Sequence, residues 1–216
     1  MLALDFPRKA ESHLKILCLG AHSDDIEIGC GGTLLRLLST RQETEVSWVV
    51  FGACNKREQE ARHSAALFLS HAKKKEVIVK SFRDGFFPFE GAQIKDCFEE
   101  LKAAAPDVIF THNRKDAHQD HRLIAELTWN TFRNHLILGY EIPKYDGDLG
   151  QPNFFVPLDP EVYEKKVHYL MEAFETQRTK KWFEKETFLA LMRLRGMECV
   201  ADSGYAEAFY CRKLVL

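Results

Sequence analysis

Two short clusters of imidazole and carboxylate side chains are the first feature of this 216-residue sequence that could do chemistry. His22, Asp24 and Asp25 stand in the stretch AHSDD, and His112, Asp116, His118, Asp120 and His121 stand in HNRKDAHQDH. Adjacent aspartates repel each other and are costly near apolar chain unless something positive compensates them. A divalent cation would do so. Zinc takes nitrogen and oxygen donors, and a catalytic zinc site keeps three protein ligands with water in the remaining position. His22 and Asp25, three residues apart at a helix start, can point the same way, and His121 could close the triad. Asp24 would then be free to act on water. Plainer readings compete: Ser23 or Asp24 could cap a helix, and an H-x-x-H can arise by chance on a solvated turn.

The elements around the clusters decide how far apart they fold. LKILCLG, EVSWVVF, EVIVKSF and PDVIFTH read as short buried strands. Between and after them, GTLLRLLST, REQEARHSAALFLS, QIKDCFEELKAA and HRLIAELTWNTFRN carry helical periods. This alternation predicts an α/β domain with a mainly parallel sheet and helices on both faces. In open sheets of this kind ligands sit beyond the carboxyl ends of the strands, and both clusters fall at such ends, after the first and fourth strands. The second half is less regular. ILGYEIP and NFFVPL read as strands around the turn-rich KYDGDLGQPN. A strong helix follows, with Tyr163, Val167, Leu170 and Phe174 on one stripe, then a second helix and a last strand from YAEAFYC. No repeat or linker divides residues 1–216, so a single domain is expected.

The composition excludes several classes. Hydrophobic residues make up 45% and charged residues 29%, and the formal net charge is −2, so no basic excess marks a nucleic-acid or membrane-surface binder. No apolar run reaches the length of a membrane span, and the N-terminus lacks the apolar region of a signal peptide. The six cysteines, Cys18, Cys30, Cys54, Cys97, Cys199 and Cys211, form no C-x-x-C pair and read as reduced thiols in apolar sites, which points to the cytoplasm. GCGGT at 29–33 lacks the spacing of a dinucleotide-binding turn, and Gly29, Gly31 and Gly32 read as allowing close packing of helix on loop.

Taken together, the clusters resemble the LmbE/PIG-L family of zinc-dependent N-deacetylases, whose pattern is A-H-P-D-D early and H-x-D-H after a central strand. Here they read AHSDD at 21–25 and HQDH at 118–121, with REQEA at 57–61, RDG at 83–85 and YAEAF at 205–209 in the expected order. Ser23 and Gln119 replace prolines usual in the family, and no ligand changes with them. The resemblance implies a Rossmann-like fold, with Zn2+ held by His22, Asp25 and His121. It makes Asp24 the general base toward the attacking water. It makes protonated His118 the group that stabilises the oxyanion or donates to the leaving amine, and Asp120 the residue orienting His118. It assigns Arg57 and Asp84 to sugar hydroxyls or their substituents, although Arg57 could equally pair with a nearby acid and Asp84 could form a turn before Gly85. Asn113 and Asp116 would line the pocket, and His112 reads as a hydrogen-bonded structural histidine. The implied partner is a small N-acetylated amino sugar of GlcNAc type, with no nucleic acid and no membrane span. A homo-oligomer stays open. The segment 140–153 reads either as a sugar-binding lid or as an ordinary connection. An amidase on a related glycoside, or a metal-dependent phosphoesterase, is the alternative.

Overall fold

The computed structural model describes residues 13–215. Its first half alternates strictly: β1 (Leu14–His22), α1 (Asp25–Thr40), β2 (Thr44–Gly52), α2 (Lys56–Phe68), β3 (Lys74–Val79), α3 (Gly91–Leu101), β4 (Val108–His112) and α4 (Gln119–Thr131). β5 (Leu136–Tyr140), β6 (Phe154–Pro157), α5 (Pro160–Ala173), α6 (Lys185–Glu198) and β7 (Ala206–Cys211) complete it. The seven strands form one sheet in the order β3-β2-β1-β4-β5-β7-β6. The first five run parallel, while β7 is antiparallel to β5 and β6 is antiparallel to β7. The α/β fold with a mainly parallel sheet is therefore the one the alternation predicts. The antiparallel edge is an addition that sequence order alone does not specify.

Successive residues of β1 point to opposite faces and enter separate cores. Ile16 and Cys18 join Val46, Trp48 and Val50 of β2 beneath α1, α2 and α5. Leu17, Leu19 and Ala21 join Val49 and Phe51 with Ile94 and Phe98 of α3 and Ile124 of α4. Both faces are covered, so the strands are apolar throughout rather than alternating.

α1 begins at Asp25 and runs unbroken to Thr40, so the glycine cluster lies inside the helix instead of in a loop before it. The close packing expected there is helix on strand: a Cβ at Gly29 would stand 2.3 Å from Tyr140 Cδ2. A buried ion pair also clamps α1. Lys166 donates to Ile28 O and to Glu207 Oε1, each at 2.6 Å, and Glu207 accepts the Gly32 and Thr33 N–H groups at 2.8 and 2.7 Å. Cys18, Cys30 and Cys199 are buried free thiols, but Cys54 is exposed and does not fill an apolar site. Among the described residues, no helix is long and apolar enough to cross a membrane.

Candidate active site

The strand order reverses direction between β1 and β4, and both polar clusters emerge there. β1 ends at His22 and leads directly into α1, and β4 ends at His112 and leads through a turn into α4. The crevice at such a switch point is where an open α/β sheet places its ligand. Residues separated by almost a hundred positions thereby meet.

Three donor residues converge in it. His22 Nδ1 lies 3.2 Å from His121 Nε2 and 3.5 Å from Asp25 Oδ2, and Asp25 Oδ1 lies 3.5 Å from His121 Nε2. All three residues are buried. The outer nitrogens fix the proton positions. His22 Nε2 faces Asp120 Oδ2 at 3.2 Å and Asp84 Oδ1 at 3.1 Å, and His121 Nδ1 faces Asp116 Oδ2 at 3.0 Å. Carboxylates accept, so each outer nitrogen carries a hydrogen; the inner nitrogen of the neutral His121 ring presents a lone pair, and that of His22, whose carboxylate neighbours favour its charged form, does so only when a bound cation displaces its second proton. Two imidazoles and a carboxylate gathered this closely could hold a cation. Donors about 2.0–2.1 Å from a tetrahedral ion stand roughly 3.3–3.4 Å apart, close to the 3.2 Å between the two ring nitrogens, while Asp25 meets the two rings through different oxygens. A histidine that ligates through one nitrogen and donates to a carboxylate through the other is the usual arrangement of a metal site. The residues present fit a divalent transition metal.

Among the described residues, the groups whose ligand atoms all lie close to one another overlap this trio without containing it whole. His118 joins His22 and His121 in a set of mutually close donors, and His112 joins Asp25 and His121 in another. His112 is fully buried, accepts the Ala21 N–H at 3.0 Å through Nε2, and stacks on His121 with ring centroids 3.9 Å apart. It is hydrogen-bonded, as expected, yet its Nε2 also lies 3.2 Å from Asp25 Oδ2, so it belongs to the wall of the cluster.

Asp24, the first residue before α1, makes no side-chain capping bond. Its Oδ2 is buried with no hydrogen-bond partner, while Oδ1 lies 3.7 Å from Arg57 Nη2. Ser23 does not cap the helix either, because its hydroxyl accepts from Arg57 Nε at 3.2 Å. An unpaired buried carboxylate oxygen is expensive unless another group is meant to meet it. Burial and the neighbouring Asp25 charge raise the Asp24 pKa, against the pull of Arg57 and Lys180. The Asp25 carboxyl is also penalised by burial, but His121 and His112 outweigh this and hold it well below the carboxylate range. Burial, with His112 adding, pushes His121 down to about 4, which keeps its ring neutral at pH 7. Burial opposes charge on His22 as well, yet Asp120, Asp25 and Asp84 together raise it well above the imidazole range.

The placement of Asp120 differs from the expected pair with His118. Its carboxylate accepts from His22 and from the Gly85 and Phe87 N–H groups at 2.6 and 3.2 Å. Gly85 adopts φ +80, a conformation that favours glycine, and this aims its N–H at Asp120. His118 Nδ1 instead accepts the backbone N–H of Asp120 at 3.3 Å, and the His118 backbone N–H donates to Asp116 Oδ1 at 2.8 Å. Burial and the His22 charge lower the His118 pKa, and the Asp120 charge only partly opposes this. Arg57 and Asp84 pair with each other at 3.1 Å on the rim of the crevice.

Two neighbours carried no sequence signal. Lys144, in the segment after β5, reaches Asp116 Oδ1 at 3.1 Å and both oxygens of Asp148 at 2.6 Å, and Asp148 accepts the Ala117 N–H at 2.6 Å. The Lys180 charge lowers the Asp24 pKa, and the neighbouring Lys181 N–H donates to Tyr145 OH at 3.0 Å. Segment 140–153 therefore borders the site. Its ends are pinned by Glu141, which binds Arg195 at 2.7 and 2.8 Å and accepts the Gly150 N–H at 3.2 Å.

The chain is 30% identical over 142 residues to the uncharacterized deacetylase YaiS of Escherichia coli (strain K12), covering 59% of this chain and 74% of that one. Its fold matches N,N'-diacetylchitobiose deacetylase from Pyrococcus horikoshii with a TM-score of 0.71 at 22% identity, covering 96% and 86% of the two chains. It also matches GalB, the 4-carboxy-2-hydroxymuconate hydratase of Pseudomonas putida KT2440, with a TM-score of 0.72 at 16% identity over 94% and 98%. Such distant likenesses establish the fold and leave the reaction to the site. The model of the GlcNAc-PI de-N-acetylase family, PIG-L, matches residues 17–132, both clusters included. The chain belongs to the PIG-L family of deacetylases, enzymes that hydrolyse an amide bond.

Proposed function

We propose that this protein is a zinc-dependent hydrolase that removes the acetyl group from an N-acetylated amino sugar of GlcNAc type. The observation that supports this reading best is the unpartnered Oδ2 of Asp24, buried beside three convergent metal donors. His22 Nδ1, one Asp25 oxygen and His121 Nε2 would hold the ion, which supplies Lewis-acid polarisation of the amide carbonyl and lowers the pKa of water toward about 7.

The protein groups do the rest. Asp24 accepts the proton of the attacking water at Oδ2, and its raised pKa brings the base closer to working pH. His118, which lies close to His22 and His121, in its protonated form stabilises the developing oxyanion or donates to the leaving amine. Asp120 and Asp84 hold the hydrogen of His22 Nε2 and so keep Nδ1 free. Arg57 presents its guanidinium to substrate hydroxyls or their substituents, with Asp84 fixing its orientation. The burial of His22, Asp24, Asp25 and His121 keeps bulk water from competing.

Acetate release from a panel of GlcNAc conjugates, run beside phosphate release from ester substrates, tests the reading. Acetate release dependent on zinc supports it. Phosphate release without acetate release would establish the phosphoesterase alternative in its place.

A further inference from the structure

A second concave site lies beside the first, on the α4 side of β4 and β5. A cavity of about 750 Å3 is lined by Arg114, Lys115, Trp129, Tyr210 and Arg212 among others. It adjoins one of about 540 Å3 that shares Arg114, Trp129 and Arg212 and adds Arg133 and Lys213. We propose that this groove binds the phosphate group of a small phosphorylated molecule.

The charges carry the argument. Arg133 and Lys213 are accounted for, because Arg133 Nε donates to Asn130 O and Lys213 Nζ to Arg133 O, at the carbonyl-rich end of α4. Arg114, Lys115 and Arg212 make no ion pair among the described residues. The one carboxylate in the walls is Asp148, and both its oxygens are committed to Lys144, with one also accepting the Ala117 N–H. The walls therefore carry a local positive excess on a chain whose net charge is −2. A cleft lined by one sign of charge concentrates its field on a ligand of the other sign. The Arg212 guanidinium lies 5.6 Å from the Trp129 ring centroid and Lys213 Nζ lies 6.0 Å from it, so the indole orders both heads at the groove.

Phosphate fits these groups better than a carboxylate does. Two guanidinium forks and an ammonium offer more donors than one carboxylate can accept, whereas phosphate presents three acceptor oxygens at about −1.5 to −2 charge. The cavity exceeds a bare phosphate, and its concave shape suits a small organic carrier rather than a flat anionic surface. His112 and Asp148 also line the groove, so it abuts the metal donors without including them. The binding does not depend on the deacetylase reading, since it is measured without turnover.

The test titrates the full chain with inorganic phosphate against potassium chloride at matched ionic strength, following intrinsic fluorescence and thermal stability. Saturable binding near about 1 mM is expected. Arg114→Ser with Arg212→Ser should weaken it about tenfold or more. Trp129→Phe should remove the fluorescence change, and His121→Ala, which disables the metal donors, should leave phosphate binding intact. Binding unaffected by the arginine substitutions, or abolished by His121→Ala, would overturn the proposal. So would arginine-dependent sedimentation with anionic phospholipid vesicles in the absence of saturable phosphate binding.

Discussion

Asp116 holds His121 from behind: its Oδ2 lies 3.0 Å from His121 Nδ1 while its Oδ1 lies 3.1 Å from Lys144 Nζ. One buried carboxylate thus joins the proposed metal donor His121 to the segment bordering the site. Asp116→Asn should weaken metal affinity by about 10–100-fold, the usual effect of losing a carboxylate behind a ligating histidine. Competition with a chelator dye reads this directly, and unchanged affinity would show that Asp116 does not act on His121.

Lys144→Met tests the next link. It leaves Asp116 and Asp148 without their shared cation, so segment 140–153 should loosen and proteolysis there should quicken. Lys144→Arg should restore much of the protection because the charge is kept. Equal cleavage of all three forms would separate the segment from the site.

Asp24→Asn removes the proposed base but none of the three proposed donors. Metal content should stay at the parental level while turnover falls by about two to four orders of magnitude. Loss of metal together with turnover would assign Asp24 to binding instead.

The fold makes its own demands. Gly29→Ala would place a methyl 2.3 Å from Tyr140 Cδ2, and the ring is fixed by its hydroxyl bond to Leu19 O at 2.6 Å. Overpacking of this kind costs about 1–3 kcal/mol, to be read as a lower denaturation midpoint. Lys166→Met should cost more, about 3–5 kcal/mol, because Glu207 would keep a buried charge with no cation beside it. Equal midpoints for the parent and both variants would contradict the packing described for α1.

The parallel half of the sheet and the meeting of the clusters were legible because short apolar runs, helical periods and strand-end polarity act over a few residues each. His22 and His121 could be paired from sequence since both follow strands whose ends share a crevice. The partner of Asp120 was not legible. Its carboxylate turns to His22 because the 85–87 backbone supplies two N–H donors that hold it there, and backbone donors leave no mark in side-chain identity. Lys144 was hidden for a different reason: its partner Asp116 lies in another loop, and only the folded path of 140–153 brings them together. The early start of α1 was masked by its glycines, which disfavour helix locally but are required by the side chains packed on them, Tyr140 at Gly29, Phe68 at Gly31 and Leu158 at Gly32.

The most direct measurement is metal content of the purified protein beside its His121→Ala variant, each folded by circular dichroism. About one zinc per chain is expected in the parent and almost none in the variant. Stoichiometric metal persisting in folded His121→Ala would contradict the three-donor site on which the functional account rests.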